Sequence, residues 1–390
     1  MTLSLGEAAS GQSVAVARLD GRVGFISGKF NEPAFDATSL KEVLDKAASQ
    51  KCDAVLLEVE SGGGRVEVGI EVTKLLRERQ ATGTKIVSWY GVAGSAASWI
   101  PFSCKDAVTK PSGLCGGSVI YSVDASGKRN AVEAKFASFP IAEVKNSSSA
   151  AGRPDLLVDA IFEQPREVWL TSDGVLASQR PAGDEGAKCI DSSAGVLNMD
   201  AATAVAIGFA KGPAADRDAA ARAAGLKPAK WVDLTPVVAG RNSRLAAKDL
   251  ATRKAVHAWF TEVDEMMAKI EDAIKATHAT ATEYEAERVP DGDTKVAGSR
   301  ARKALAEHMG KVRSAANAIK FDDAIFPANQ DDLDFRNGHA TMHATILERV
   351  SEIRDRLAER STKKALQAAR EAERLFAELQ EFRKTLKRPY

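Results

Sequence analysis

The sequence predicts an α/β domain built on a largely parallel sheet, followed by a C-terminal α-helical bundle or hairpin. Three patterns carry that expectation. Residues 13–240 alternate short apolar strand-like runs with amphipathic helical stretches at the spacing of βαβ units. From about residue 246 the chain turns Ala-, Glu-, Lys- and Arg-rich, with few strand formers. The small-residue turns SGGG (61–64) and GVAGS (91–95) each follow a strand-like run and precede a helical one. Both therefore belong at the carboxyl edge of the sheet, where such folds bind ligands.

In chain order, VAVARL (14–19) and VGFIS (23–27) read as strands, SLKEVLDKAASQ (39–50) as a helix and DAVLLEVE (53–60) as a buried strand. VEVGIEVTKLLRERQ (66–80) is an amphipathic helix with Val68, Ile70, Val72, Leu75 and Leu76 on its apolar surface. KIVSWY (85–90) is the next strand, a helix starts near Ser95, and DAVTKP (106–111) is a short strand after it. VWLTSDGVLASQRP (168–181) has the form of a strand pair about an Asp-Gly turn. Beyond 246, helical stretches cover about 246–287, 297–320 and 340–387, broken by VPDGD and FPANQDD. Ile346, Val350, Ile353 and Leu357 form one apolar seam, and Leu375, Leu379, Phe382 and Leu386 another. The expected division is a tail at 1–12, an α/β domain at 13–240 and a coiled-coil-like helical domain at 246–390.

Composition narrows the function. A net charge of +1 over 390 residues gives no broad field for nucleic acid or anionic lipid. No apolar run approaches the ~18 residues of a membrane span, so no membrane insertion is expected. The first twenty residues lack a basic segment followed by an apolar one, as a signal peptide would require. The chain reads as soluble, and as cytoplasmic or periplasmic if a targeting segment has been removed. Cys52, Cys104, Cys115 and Cys189 show no CxxC spacing and no nearby histidine, so buried free thiols are expected rather than zinc ligands. His339 and His343 stand four apart without an HExxH context, which favours packing or surface roles. No cofactor or metal is expected. There is no GxxxxGK[ST] phosphate loop, so an unfoldase would be a separate chain.

Chemistry concentrates at Ser95. A hydroxyl where a strand turns into a helix is either a nucleophile or a helix cap. All five histidines lie beyond residue 250, so a Ser–His–Asp triad inside the α/β domain is impossible. The base of a nucleophilic Ser95 would be a lysine made neutral by desolvation. Ser98, about one helical turn on, is the rival nucleophile. Three glycines before a helix supply bare N–H groups that could cradle an oxyanion, although a tight turn explains them equally well. Ala96, just after Ser95, would add a second N–H at a helix N-terminus.

The order SGGG, helix, strand, GVAGSAASWI resembles the ClpP/crotonase superfamily, and the following PSGLCGGSVI is most similar to its signal peptide peptidase A and NfeD-type Ser-Lys branches. The resemblance covers residues 13–240 and implies repeated β-β-α units and a serine protease working through a Ser-Lys dyad and an acyl-enzyme. Ser61, Gly62, Gly63 and Gly64 match the Ser-Pro-Gly-Gly turn with glycine replacing proline, and Ser95 falls on the nucleophile. The resemblance implies an oxyanion hole from Gly64 and Ala96. By the NfeD-type pattern, counting back from Gly152-Arg153-Pro154 lands on Lys135, forty residues after Ser95. The signal peptide peptidase A pattern puts the lysine near Ala150, leaving Lys145 as the nearest substitute. Ser118 is expected to hydrogen-bond the lysine, and Cys115 stands where a threonine is usual. CIDSSAGVLNMDAATAVAIGFAKG (189–212) resembles the family's closing segment, with Ala202, Ala204, Ala206 and Gly208 allowing close packing. The implied partners are a peptide or protein substrate and further copies of the chain, with no nucleic acid. Two other readings stay open: an inactive ClpP-like scaffold recruiting partners through its helical region, and a crotonase-like acyl-CoA enzyme using Glu60 or Glu67.

Overall fold

The computed structural model describes residues 11–25, 32–123, 129–162, 166–192, 195–285, 291–319, 330–357 and 362–385. Residues 1–10 of the expected tail lie outside them. The chain divides into two compact units, Met1–Ala246 and Ala247–Tyr390.

The first unit is mixed α/β. Strand β1 (Gln12–Val23) and the short β2 (Ala34–Phe35) precede α1 (Ala37–Ser49), β3 (Ala54–Gly64), α2 (Val66–Ala81) and β4 (Lys85–Gly94). A 3-10 turn (Ser95–Ala97) leads into α3 (Trp99–Ser103) and β5 (Asp106–Gly116). The hairpin of β6 (Tyr121–Val123) and β7 (Arg129–Ala131) is followed by α4 (Ala134–Ala150) and α5 (Asp155–Phe162). Next come β8 (Glu167–Leu170), β9 (Leu176–Ala177), β10 (Lys188–Ser192) and β11 (Asn198–Asp200), then α6 (Ala201–Ala206), α7 (Arg217–Ala223) and β12 (Pro228–Asp233). Helix α8 (Thr235–Glu285) begins in this unit.

The principal sheet runs β11-β5-β4-β3-β1-β12, with β2 paired to β1. Its pairings are parallel except for β11 on β5. Successive side chains of β3 serve opposite faces. Val55, Leu57 and Val59 share a core with Leu40, Val43 and Leu44 of α1 and Ile70, Val72 and Leu76 of α2. Ala54 and Leu56 share another with Ala220 and Ala221 of α7. Burial on both faces is why this strand reads as a continuous apolar run. Helix α1 starts on a capping box: Asp36 accepts from the Ser39 N–H, and the Ser39 hydroxyl accepts from the Asp36 N–H. The same Asp36 carboxylate receives Arg241 through Nε at 2.9 Å and Nη2 at 2.6 Å.

Three local expectations change. VAVARL and VGFIS are one strand as far as Val23, with the register shift between Asp20 and Arg22 absorbed at Gly21, whose φ is +79°. Ile26 and Ser27 of that run lie outside the described residues. β5 does not stop at Pro111. Its pairing with β4 jumps from Thr109 to Leu114 while β4 advances only from Tyr90 to Val92, so Lys110–Gly113 bulge out and proline is tolerated there. Of the small residues of α6, Ala204 is buried, whereas Ala202 and Ala206 are exposed. A spacing of two cannot keep one face of a helix; Ala201 and Ala204, three apart, do so. Gly208, also exposed, takes a left-handed φ of +70° after the helix.

The second unit is α-helical and contains the remainder of α8 with α9 (Asp291–Ala318), α10 (Gln330–Leu357) and α11 (Thr362–Thr385). The stretch expected at 340–387 is two helices. Trp259, Phe260, Val263, Met266 and Ile270 of α8 pack with Leu305 and Met309 of α9, Ile346, Val350 and Ile353 of α10, and Leu375 and Leu379 of α11. The predicted seams are thus core, although the side chain of Leu357 and all of Leu386 lie outside the described residues. Arg383 of α11 binds Asp264 of α8 at 2.8 Å. No helix of the described residues is long and apolar enough to cross a membrane. His343 is tied to the core by Trp259, whose indole N–H donates to His343 Nδ1 at 3.4 Å.

Two outcomes follow from these contacts. Asp36→Ala removes a helix cap and leaves Arg241 without its carboxylate, so the α/β unit should lose about 3–5 kcal/mol in denaturant unfolding. Burial, with Arg313 adding to it, holds the His343 pKa below the usual 6.5. The unfolded chain then binds that proton more readily, and stability should fall as pH drops through about 6.5 toward the lower folded pKa. Replacing His343 with Gln should flatten the change in unfolding midpoint between about pH 7.5 and about pH 5.5, read by circular dichroism.

Candidate active site

The carboxyl ends of β3 and β4 open into a cavity of about 710 Å³ lined by Gly62, Gly63, Gly64 and Ser95, with Gly21, Arg22, Glu32, Pro33, Gly117, Val119 and Tyr121. The two small-residue turns of the sequence therefore meet in one pocket. Ser95 has φ +48°, a left-handed conformation in which a residue with a Cβ is strained by about 1–2 kcal/mol.

What holds it there is a set of donors aimed at its carbonyl. Ser95 O accepts from Ser98 N–H at 2.9 Å, from the Ser98 hydroxyl at 2.7 Å and from the Ser118 hydroxyl at 3.1 Å. The Trp99 indole N–H donates to Ser118 Oγ at 2.9 Å, and the Ser98 and Ser118 hydroxyls lie 3.1 Å apart. Ser98, Trp99 and Ser118 are buried. Ser118 is itself anchored by its N–H to Ile161 O at 2.8 Å. Trp99 lies across α2 at Gly69, where a Cβ would come within 2.6 Å of the indole.

The glycines fit this geometry one by one. Gly63 has φ +104°, and a Cβ there would sit 2.5 Å from Ser95 Cβ and 2.8 Å from Gly94 O. A Cβ on Gly64 would strike Val23 O at 2.1 Å. The Gly63 N–H donates to Ser61 Oγ at 3.2 Å. Ala96 follows Ser95 in the first turn of the 3-10 segment, where an N–H has no partner within the turn.

The other predicted residues fall as follows. Ser98 is fully buried and bound to the Ser95 carbonyl, which withdraws it as a rival nucleophile. Ser118, expected beside the lysine, instead bonds Ser95 O and accepts from Trp99, with the Ser98 hydroxyl 3.1 Å away. Lys135 is exposed on the first turn of α4 with its ammonium 4.9 Å from the centroid of the Phe136 ring, and it does not line the pocket. Lys145 is ion-paired with Asp159. Glu60 binds Lys110 at 2.6 Å and accepts from Val92 N–H, and Glu67 pairs with Arg65 at 2.6 Å, so neither carboxylate projects free into the pocket.

Arg153 has a role the sequence did not disclose: it donates to Phe209 O at 2.5 Å and Cys104 O at 2.9 Å and stacks on the Phe209 ring. Cys104 and Cys115 are free buried thiols, the first pushed up to about 12 by burial and the second also raised; Cys52 is half-buried and Cys189 exposed. The His339 side chain lies outside the described residues, and His343 Nδ1 is occupied by Trp259.

No protein-family model and no curated protein matches the chain. Among solved structures, it is similar to a serine-to-alanine mutant of the 1510-N membrane-bound stomatin-specific protease, with 13% identity over 58% of this chain and 98% of the other, at a TM-score of 0.42. A lysine-to-alanine mutant of that protease in complex with a substrate peptide gives 14% identity over 55% and 80%, at 0.39. The 1510-N membrane protease specific for a stomatin homolog from Pyrococcus horikoshii gives 14% identity over 55% and 79%, at 0.34.

The packing of Gly63 against Ser95 separates two neighbouring substitutions. Gly63→Ala should cost about 1–3 kcal/mol by forcing backbone apart at a left-handed position. Gly62→Ala, whose new methyl would meet nothing within 4 Å, should leave the unfolding midpoint nearly unchanged.

Proposed function

We propose that the chain is a serine peptidase. The Ser95 hydroxyl attacks the carbonyl of a peptide bond, and the neutral amine of Lys135 takes its proton. The Gly64 and Ala96 N–H groups hold the tetrahedral oxyanion. The protonated lysine returns the proton to the leaving amine, and water then releases the acyl group from Ser95. The observation that carries this reading is the strained left-handed backbone at Ser95, set in one pocket with the bare backbone of Gly62, Gly63 and Gly64. Strain of this kind persists where a side chain must be presented in one geometry.

The base is the demanding part. Lys145 is engaged by Asp159, whereas Lys135 has no carboxylate partner among the described residues. Water around an ammonium favours its charged form, and removing that water favours the proton-accepting one. Phe136 and Phe139, beside Lys135 on α4, are 60% and 62% exposed. A substrate chain or a second copy of the protein covering this helix end would bury both rings and dry the amine together. Self-association and activity are linked in this reading. The position of Lys135 outside the pocket lining also supports a second reading, a scaffold that assembles without hydrolysis and recruits partners through its helical unit.

A fluorophosphonate probe and a mixed peptide library distinguish them. Wild type should label and cleave, Ser95→Ala should do neither, and Lys135→Ala should fall by roughly 10²–10⁴-fold, the contribution of a general base. Equal labelling of wild type and Ser95→Ala would remove the hydrolase assignment. Full activity in Lys135→Ala would move the base elsewhere.

A further inference from the structure

In the helical unit, Glu262 and Glu265 lie one turn apart on α8, and His308 lies on α9. One ligand atom from each comes within 4.8 Å of the other two. Glu262 Oε2 and His308 Nδ1 are both buried and have no hydrogen-bond partner. Buried polar atoms in folded proteins almost always have partners, so two orphan atoms on residues of one such cluster call for a missing group. The surrounding wall is apolar: Val263 and Met266 flank the α8 ligands, and Leu305 and Met309 flank His308. It offers neither atom an alternative.

We propose that Glu262, Glu265 and His308 form a divalent transition-metal site that pins α8 to α9, with zinc the ion its donors suit best. One imidazole nitrogen and two carboxylate oxygens are zinc ligands, and three protein ligands leave the fourth tetrahedral position to water. Magnesium and calcium prefer all-oxygen shells and have no use for the imidazole. Tetrahedral ligands at about 2.0–2.1 Å from zinc stand roughly 3.3 Å from one another. Separations within 4.8 Å are compatible with that geometry, and the exposed Glu265 can supply any remaining adjustment by rotamer change. The site shares no residue with the Ser95 pocket, and its success or failure is independent of the peptidase reading.

The test is calorimetric titration of the metal-stripped full chain with zinc sulfate, with thermal unfolding and the visible spectrum of the cobalt(II) form as further readouts. Wild type should bind one equivalent and unfold at higher temperature when loaded. The cobalt spectrum should show tetrahedral nitrogen–oxygen ligation without a thiolate charge-transfer band. His308→Ala and Glu265→Gln should each weaken binding by more than about tenfold, while Cys189→Ser, which removes the exposed thiol, should bind as wild type does. Glu265 is exposed, so its Gln variant keeps the core intact even if the His308 variant does not fold. Absence of saturable binding, or undiminished binding in Glu265→Gln, would overturn the site.

Discussion

The left-handed turn at Ser95 organises much of the α/β unit around it. Its carbonyl takes three donors, two local ones from Ser98 and one from the distant Ser118. Ser118 can reach it only because β5 ends at Gly116 and the next residues tie to Leu197 and Ile161. Trp99 can lock Ser118 only because α2 carries glycine beneath its indole. Gly63 must lack a Cβ for the two turns to close. A strain of about 1–2 kcal/mol at one residue is thus offset by contacts from β3, α2, α3, β5 and α5. The same contacts bury Ser98, whereas Ser95 lines the pocket.

Charge is used differently on the two sides of this arrangement. Arg153 is half-buried against the carbonyls of Cys104 and Phe209, joining the end of α3, the end of α4 and the segment after α6. Two bonds and an aromatic face hold the guanidinium there. Lys110 of β5 reaches across β4 to Glu58 and Glu60 of β3 and lies over the Trp89 ring of β4. Lys135 stands apart from them on an apolar helix end.

The parallel sheet and its two glycine-bearing turns were legible because their signals are local. β3 has four consecutive apolar residues, and SGGG and GVAGS carry the small side chains that close approach demands. The meeting of those turns followed from the expected topology. Ser118 could not be placed correctly, because its partners Ser95, Ser98 and Trp99 are distant in sequence and hydroxyls have no directional signature in a string of letters. Arg153 was legible only as part of a family pattern, not as an anchor. β5 looked short because proline ordinarily ends a strand, and only the bulge at Lys110–Gly113 shows how the pairing resumes. The pair of helices α10 and α11 read as one because their apolar periodicities run on. His308 gave no sequence sign at all, since its partners lie on another helix.

The placement of β1 bears on how the molecule is made. It lies inside the sheet between β3, which follows it closely in the chain, and β12, which begins only at Pro228. During synthesis the flank that awaits β12 is an open row of amides and carbonyls, free to recruit another strand, until nearly the whole α/β unit has left the ribosome. Nascent chains stalled before Pro228 are accordingly the species most in need of a chaperone, and the closing strand acts as the seal that ends that exposure.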